Sequence, residues 1–364
     1  MREGTNSHVP VVSNGPTKRV EALVERLRER FAPDPRLSVF DVGVVPEQGA
    51  LRIFGGVSDR VALGALERGV AGLGLAVPVR NETVLLPDAR LSGREHAVVS
   101  ATVAPMLLFP EVCEPQVSQV VMGNRVRLLR RYQRWYQCRS QDGYPGWIHR
   151  GYLKLPATTG TGDGGGGDGH SELLISLGAG MSGKGEEPAG FLPWGALVRK
   201  GQGGAVLLPD GREVRAEGVL IPARERAALY PARGGAVAAS AAWWLGAPYL
   251  WGGVTPAGVD CSGLVQALFR LHGVELPRDS DQQVECGEPV DPGPGFSALQ
   301  PGDLLFFAEE PDLVITHVTI SEGGSHVIHS SLGNGGVRRN DLAGDLDFER
   351  ELARIFVCAR RVAG

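Results

Sequence analysis

With 364 residues, 43% of them hydrophobic and 21% charged, the chain has room for several domains with apolar cores, and its formal net charge of −4 argues against a dedicated nucleic-acid or anionic-membrane surface. Five cysteines, an odd number without a Cys-x-x-Cys pair, suit free thiols in a reducing compartment better than a disulfide framework or a zinc site. No apolar run reaches the length of a membrane span.

In chain order, residues 1–15 are polar and turn-forming, with no apolar core of a signal segment, and read as a disordered N-terminus. A cytoplasmic location is the expectation. From 16 to 90, Val20, Leu23, Val24, Leu27 and Phe31 mark an amphipathic helix, Leu37 to Val45 and Leu51 to Phe54 two strands, Asp59 to Leu73 a helix and Val77 to Leu86 a strand. This α-β-β-α-β order, with the turn Gly55-Gly56-Val57-Ser58-Asp59, resembles the BON fold.

Residues 96–156 alternate short apolar runs with turns: Val98 to Val103, Val117 to Val121, Val126 to Leu129, Trp135 to Cys138 and Gly146 to His149. Strands at that spacing predict a small barrel. Trp135-Tyr136-Gln137-Cys138 and Gly146-Trp147-Ile148 resemble the bacterial SH3-like fold. A glycine-rich linker or loop at 157–170 precedes a second, more divergent barrel at 171–224.

The chemistry is concentrated at 228–364. Gly258-Val259-Asp260-Cys261-Ser262-Gly263 runs into a helix whose apolar face is Leu264, Val265, Leu268, Phe269 and Leu271, so Cys261 stands at a helix start. Unpaired N–H groups there favour a thiolate, predicting a lowered thiol pKa, and can also receive an oxyanion. Val314 to Ser321 and Ser325 to Ser330 read as a hairpin around Glu322-Gly323-Gly324. A three-residue loop predicts the pairs Ser321:Ser325, Thr319:Val327 and His317:His329, with the histidine Cβ atoms about 4.5 to 5.5 Å apart. His326 then pairs with Ile320 on the other face. A two-residue Gly-Gly loop would shift the register by one and separate the histidines. Nucleophile, base and orienting group are the parts of a thiol acyl-transfer site.

At these residues the chain resembles the NlpC/P60 family of cell-wall peptidases. The supporting pieces are Tyr249-Leu250-Trp251-Gly252-Gly253, Asp260-Cys261-Ser262-Gly263, Pro277-Arg278-Asp279-Ser280, Pro301-Gly302-Asp303-Leu304-Leu305-Phe306-Phe307 and the two histidine strands. The resemblance implies a papain-like α+β domain with Cys261 as nucleophile, His317 as base, His329 as third residue and Tyr249, twelve positions before the cysteine, in the oxyanion hole. Two barrels ahead of such a domain resemble the cytoplasmic γ-D-glutamyl-L-diamino-acid endopeptidases of cell-wall peptide recycling, in which the first barrel closes one end of the cleft. By that likeness Tyr144, in Asp142-Gly143-Tyr144-Pro145-Gly146-Trp147, binds the substrate amine, with Asp260, Ser262, Asp279 and Ser280 around it, Glu114 as a further acidic residue and Trp251 beside the cleft.

Plainer readings stand beside these. Asp260 can be only an N-cap, Asp279 and Ser280 only a turn, and Tyr249 and Trp251 core aromatics. Cys113, Cys138, Cys286 and Cys358 read as incidental thiols, and His149, His170, His272 and His326 as surface or structural. The resulting expectation is an α+β multidomain cysteine peptidase. It should hydrolyse the γ-D-glutamyl bond to lysine or diaminopimelate in murein peptides that begin with free L-Ala, as a monomer, with no cofactor or metal and no nucleic-acid or membrane partner. The alternatives are an exported hydrolase of intact murein, a non-catalytic wall-peptide sensor, and an acyltransferase using the same nucleophile.

Overall fold

The structure, a computed structural model, describes residues 14–156, 171–183, 187–309 and 314–364. The N-terminus expected to be disordered, apart from its last two residues, and the glycine-rich linker lie outside the described residues. Two compact units appear, one of residues 1–95 with 128–132 and one of 96–127 with 133–364.

In the first unit, helix Asn14–Phe31 precedes antiparallel strands Phe40–Glu47 and Ala50–Val57, and helix Arg60–Gly72 leads to strand Val79–Leu85, which runs parallel to the second strand. Val20 and Val24 of one helix and Ala62 and Leu66 of the other bury against Phe40, Leu51, Ile53 and Val57. The expected element order holds. Asp59 caps the second helix by accepting the Val61 N–H.

Strands between His96 and Lys154 form a seven-stranded sheet. The run expected at Val98 to Val103 is broken in two, His96–Val99 and Val103–Leu107, at Ser100-Ala101-Thr102. Strands Leu173–Ser182, Pro188–Leu192, Leu197–Lys200, Ala205–Leu207 and Glu213–Pro222 form a separate five-stranded sheet with its own core of Leu174, Met181, Leu192, Val198, Val206 and Val214. The Pro188–Leu192 strand was not anticipated.

The C-terminal part is a six-stranded antiparallel sheet in the order Glu288–Val290, Phe356–Arg361, Leu304–Phe307, His317–Gly323, His326–Ser331, Gly336–Asp341. Helix Cys261–Leu271 packs through Leu264, Val265, Leu268 and Phe269 on one face, with Leu304, Phe306, Val318, Ile320 and Ile328. Leu305, Phe307 and Val327 turn to the other face, with Leu352 of helix Asp347–Arg354. Leu304-Leu305-Phe306-Phe307 is apolar throughout because both faces of that strand are covered. Each fully buried Leu or Phe of the cysteine helix contributes about 1.5–3 kcal/mol, so the helix is held by its packed face.

Candidate active site

The glycines of the Asp-Cys-Ser-Gly step exist for close approach. A Cβ on Gly263 would fall 2.2 Å from the Gly253 carbonyl oxygen, and one on Gly253 2.3 Å from the Gly258 oxygen, so the Tyr249 to Gly253 loop wraps tightly over the start of the cysteine helix. Asp260 is the N-cap: its Oδ1 accepts the Gly263 N–H at 2.7 Å and its Oδ2 the Gly252 N–H at 2.8 Å. Arg278, only 1% exposed, grips the same carboxylate with two bonds, Nη1 to Oδ1 at 3.0 Å and Nη2 to Oδ2 at 2.6 Å. It also donates to Ser262 Oγ at 2.9 Å and Ser118 Oγ at 3.1 Å. These bonds engage both oxygens of Asp260 and make it a clamp on the helix start.

The Cys261 sulfur is buried, with the backbone amides of Val318 and Ser262 acting to lower its pKa. Val318 follows His317 directly, and Ser330, next to His329, donates to the Val259 oxygen at 2.7 Å, so both histidine strands are tied to the cysteine turn. Burial pushes the thiol up to about 12, with the Asp260 charge adding to the rise, and outweighs the two amides. The lowered thiol pKa expected from the helix start is therefore corrected. The resting group is a neutral thiol, because desolvating the anion costs more than the helix end returns.

The hairpin register also needs correction. The pairs are Ile320 with Ile328, Ser321 with Val327 and Gly323 with His326, so Glu322 bulges and the turn is Gly324-Ser325, with Gly324 at φ +58°. Relative to the expected pairing, the ladder has slipped by two residues. An even slip keeps every side chain on its face, which is why the two histidines still meet, diagonally and not directly opposite. His317 Nε2 lies 2.7 Å from His329 Nδ1, with the rings 4.9 Å apart and edge to face. His326 faces Gly323 instead of Ile320, is exposed, and approaches Asp341. The strand starts at His317, because residues 314–316 are not in the ladder.

Burial drives the His317 pKa well below its ordinary value, with the His329 ring adding to the shift, and takes His329 down to about 4. Both imidazoles are thus neutral near pH 7. Tyr249 is half-buried with its hydroxyl pushed up to about 12, first by burial and then by Cys261, so it stays a donor beside the sulfur. Phe348 stacks on His329 at 6.0 Å. Neither Phe348 nor the side chain on the far side of His329, Asn340, stood out in the sequence, since each lies in an element outside the motifs.

The sheet of residues 96–154 docks onto this turn. Gln116 Nε2 donates to the Trp251 oxygen at 2.9 Å, the Val254 N–H to Gln119 Oε1 at 3.1 Å, and Gln266 Nε2 to Asp142 Oδ2 at 2.9 Å. Tyr144 is buried within electrostatic reach of Arg278. Asp279 and Ser280 begin the short helix after Arg278. Glu114 is half-buried in the loop two residues before Gln116. Trp251 is 67% exposed, which removes the core-aromatic reading. A separate cavity of about 300 Å³, lined by Asp142, Trp194, Gln266 and Arg270, does not include Cys261. His272 is structural, bonded to Ser240 Oγ and to the Pro231 oxygen. Among the described residues no cluster could hold a metal, and no helix is long and apolar enough to cross a membrane.

Comparison with known proteins agrees with this geometry. Residues 246–352 match the NlpC/P60 family and residues 108–153 the bacterial dipeptidyl-peptidase SH3 domain. A gamma-D-glutamyl-L-lysine dipeptidyl-peptidase of Bacillus subtilis is 27% identical over 257 residues, 66% of this chain and 80% of that one. A gamma-DL-glutamyl hydrolase of the same organism is 34% identical over 252 residues, 65% of this chain and 60% of that one. The crystal structure of an NlpC/P60 family protein from Bacillus cereus superposes with a TM-score of 0.60 over 74% of this chain and all of that one, at 19% identity, and speaks to fold alone. The chain thus joins an NlpC/P60 domain to a bacterial dipeptidyl-peptidase SH3 domain, and it is a cysteine peptidase.

Proposed function

We propose that this peptidase hydrolyses the γ-D-glutamyl bond to lysine or diaminopimelate in murein-derived peptides with a free N-terminal L-Ala, as a cytoplasmic monomer serving cell-wall peptide recycling. The observation that carries the reading is the barrel bonded to the catalytic turn through Gln116, Ser118, Gln119 and Asp142, with Tyr144 within electrostatic reach of Arg278. The relative named for a γ-D-glutamyl-L-lysine dipeptidyl-peptidase supports the bond type. The second five-stranded sheet we assign as a second SH3-like barrel at 171–224 and the first unit as a BON-like domain at 16–90, with 228–364 catalytic.

In the reaction, Cys261 passes its proton to His317 as sulfur bonds the γ-carbonyl carbon, and the Cys261 N–H and the Tyr249 hydroxyl receive the oxyanion. His317 returns the proton to the leaving amine, breaking the C–N bond. Water then cleaves the thioester with His317 again as base. His329 orients His317. Recognition of the substrate amine falls to Tyr144 with Asp260, Ser262, Asp279, Ser280 and Glu114, and Trp251 flanks the entrance. A free α-amine meets buried acceptors, and an N-acylated peptide leaves them unpaired.

The test is mass spectrometry of L-Ala-γ-D-Glu-L-Lys and its diaminopimelate analogue, free and N-acetylated, with wild type and Tyr144→Ala. Cleavage of the free peptides alone, weakened by Tyr144→Ala, supports the reading. Equal rates on acetylated substrate would reassign the enzyme to intact murein stems. The 34% identity to a gamma-DL-glutamyl hydrolase favours a second reading, cleavage between γ-linked glutamyl residues, for which a γ-glutamyl oligomer in the same assay is the control.

A further inference from the structure

Behind the histidine pair the hydrogen bonds continue into Asn340 and Glu349, which no sequence motif marks. Glu349 lies in the first turn of helix Asp347–Arg354, 8% exposed. Its Oε1 accepts the Asp341 backbone N–H at 2.9 Å. A backbone N–H can only donate, so this oxygen is an acceptor, and the Asn340 group 3.3 Å from it must be the amide NH2. That orientation turns Asn340 Oδ1 toward His329 Nε2, at 3.0 Å, where Asn334 Nδ2 also donates to Oδ1 at 2.7 Å. The longer 3.4 Å approach of Asn334 Nδ2 to His329 Nε2 sets two donors together and loses to the shorter bond. An acceptor at 3.0 Å puts the His329 proton on Nε2, leaving a lone pair on Nδ1. His317 Nε2, 2.7 Å away, must then be the donor, and the lone pair of His317 is on Nδ1.

We infer that Glu349, acting through Asn340, is a positioning residue that sets the tautomers of both histidines and so selects Nδ1 of His317 as the nitrogen that takes the Cys261 proton. The inference rests on the proposed pairing of Cys261 with His317. The single-proton logic holds because both rings are neutral near pH 7. Gly344 keeps the seat open, since a Cβ there would fall 2.1 Å from Glu349 Oε2. Around the pair, the Asp341 carboxylate is engaged with the Ala343 N–H and His326, and Arg338, opposite His329 on the next strand, is exposed, leaving the Glu349 carboxylate to orient the amide.

The test uses the whole protein labelled with 15N-histidine, with two-bond 1H–15N spectra at neutral pH to read which nitrogen of each ring is protonated. Wild type should show Nε2–H on both His317 and His329. Glu349→Leu frees the Asn340 amide to invert, so His317 should become a mixture of tautomers and kcat should fall about tenfold at unchanged KM, as for loss of other outer partners of functional histidines. Glu349→Gln, whose carbonyl oxygen can take both hydrogens, should keep the wild-type spectrum and a rate within about threefold. Nδ1–H on His329 in wild type would overturn the inference without any variant. So would wild-type tautomers in a folded Glu349→Leu protein. The spectra need no substrate, so failure to cleave the tripeptide would count against the proposed function and leave this reading of the histidines standing.

Discussion

The Asp260–Arg278 pair offers a quantitative test of how the nucleophile is held. Both side chains are removed from water, at 9% and 1% exposure, and share two hydrogen bonds. Asp260→Asn keeps the cap, because asparagine serves that position as well as aspartate, but leaves Arg278 a buried cation with the Ser118 and Ser262 hydroxyls as its neutral partners. Arg278→Met strands the carboxylate with the Gly252 and Gly263 amides. Breaking one side of a buried pair costs about 3–5 kcal/mol, which at about 2–4 °C per kcal/mol for a unit of this size lowers Tm by roughly 6–20 °C for each single variant. The double variant buries no lone charge, so its loss should be smaller than the sum by at least about 2 kcal/mol. Thermal and urea unfolding of the four proteins measure this cycle. Additivity within about 0.5 kcal/mol would refute the clamp. An Asp260→Asn protein with unchanged Tm and a raised KM would leave binding of the substrate amine as the role of Asp260 in place of the clamp.

Cys261→Ala should abolish turnover while leaving thermal melting and peptide binding near wild type, since a small side chain is lost along with the covalent route; substantial turnover in the pure folded variant would end the nucleophile assignment. His317→Ala should remove activity more completely than His329→Gln, which weakens only the orientation of the base, and His326→Ala, at an exposed position, should change the rate little. Damage from His326→Ala equal to that from His317→Ala would contradict the observed register. Because both histidine pKa values are depressed, the neutral base persists as pH falls, and the acid limb of kcat/KM should lie well below the ordinary histidine range. A limb centred near 6.5, the ordinary histidine value, would mean that the rings are solvated during catalysis.

The sequence alone carried the local signals. Periodicity marked the cysteine helix and the α-β-β-α-β order of the first unit, because an apolar face must repeat at the helical or strand period wherever the element packs. Tight glycines marked the turn over Cys261, and the parity of the hairpin placed His317 and His329 on one face. That parity survived a register error of two, since side-chain direction depends only on odd or even position. What local pattern could not decide was anything set by partners distant in the chain. The bulge at Glu322 is a property of strand pairing. Ion pairing of Asp260 with Arg278, eighteen residues on, makes it a clamp. The thiol rises because the surrounding core desolvates it, an effect that a helix-start argument omits. Asn340 and Glu349 reach the histidines only because a neighbouring strand and a C-terminal helix fold against them, and a hydrogen-bond chain through three elements leaves no spacing in sequence to read.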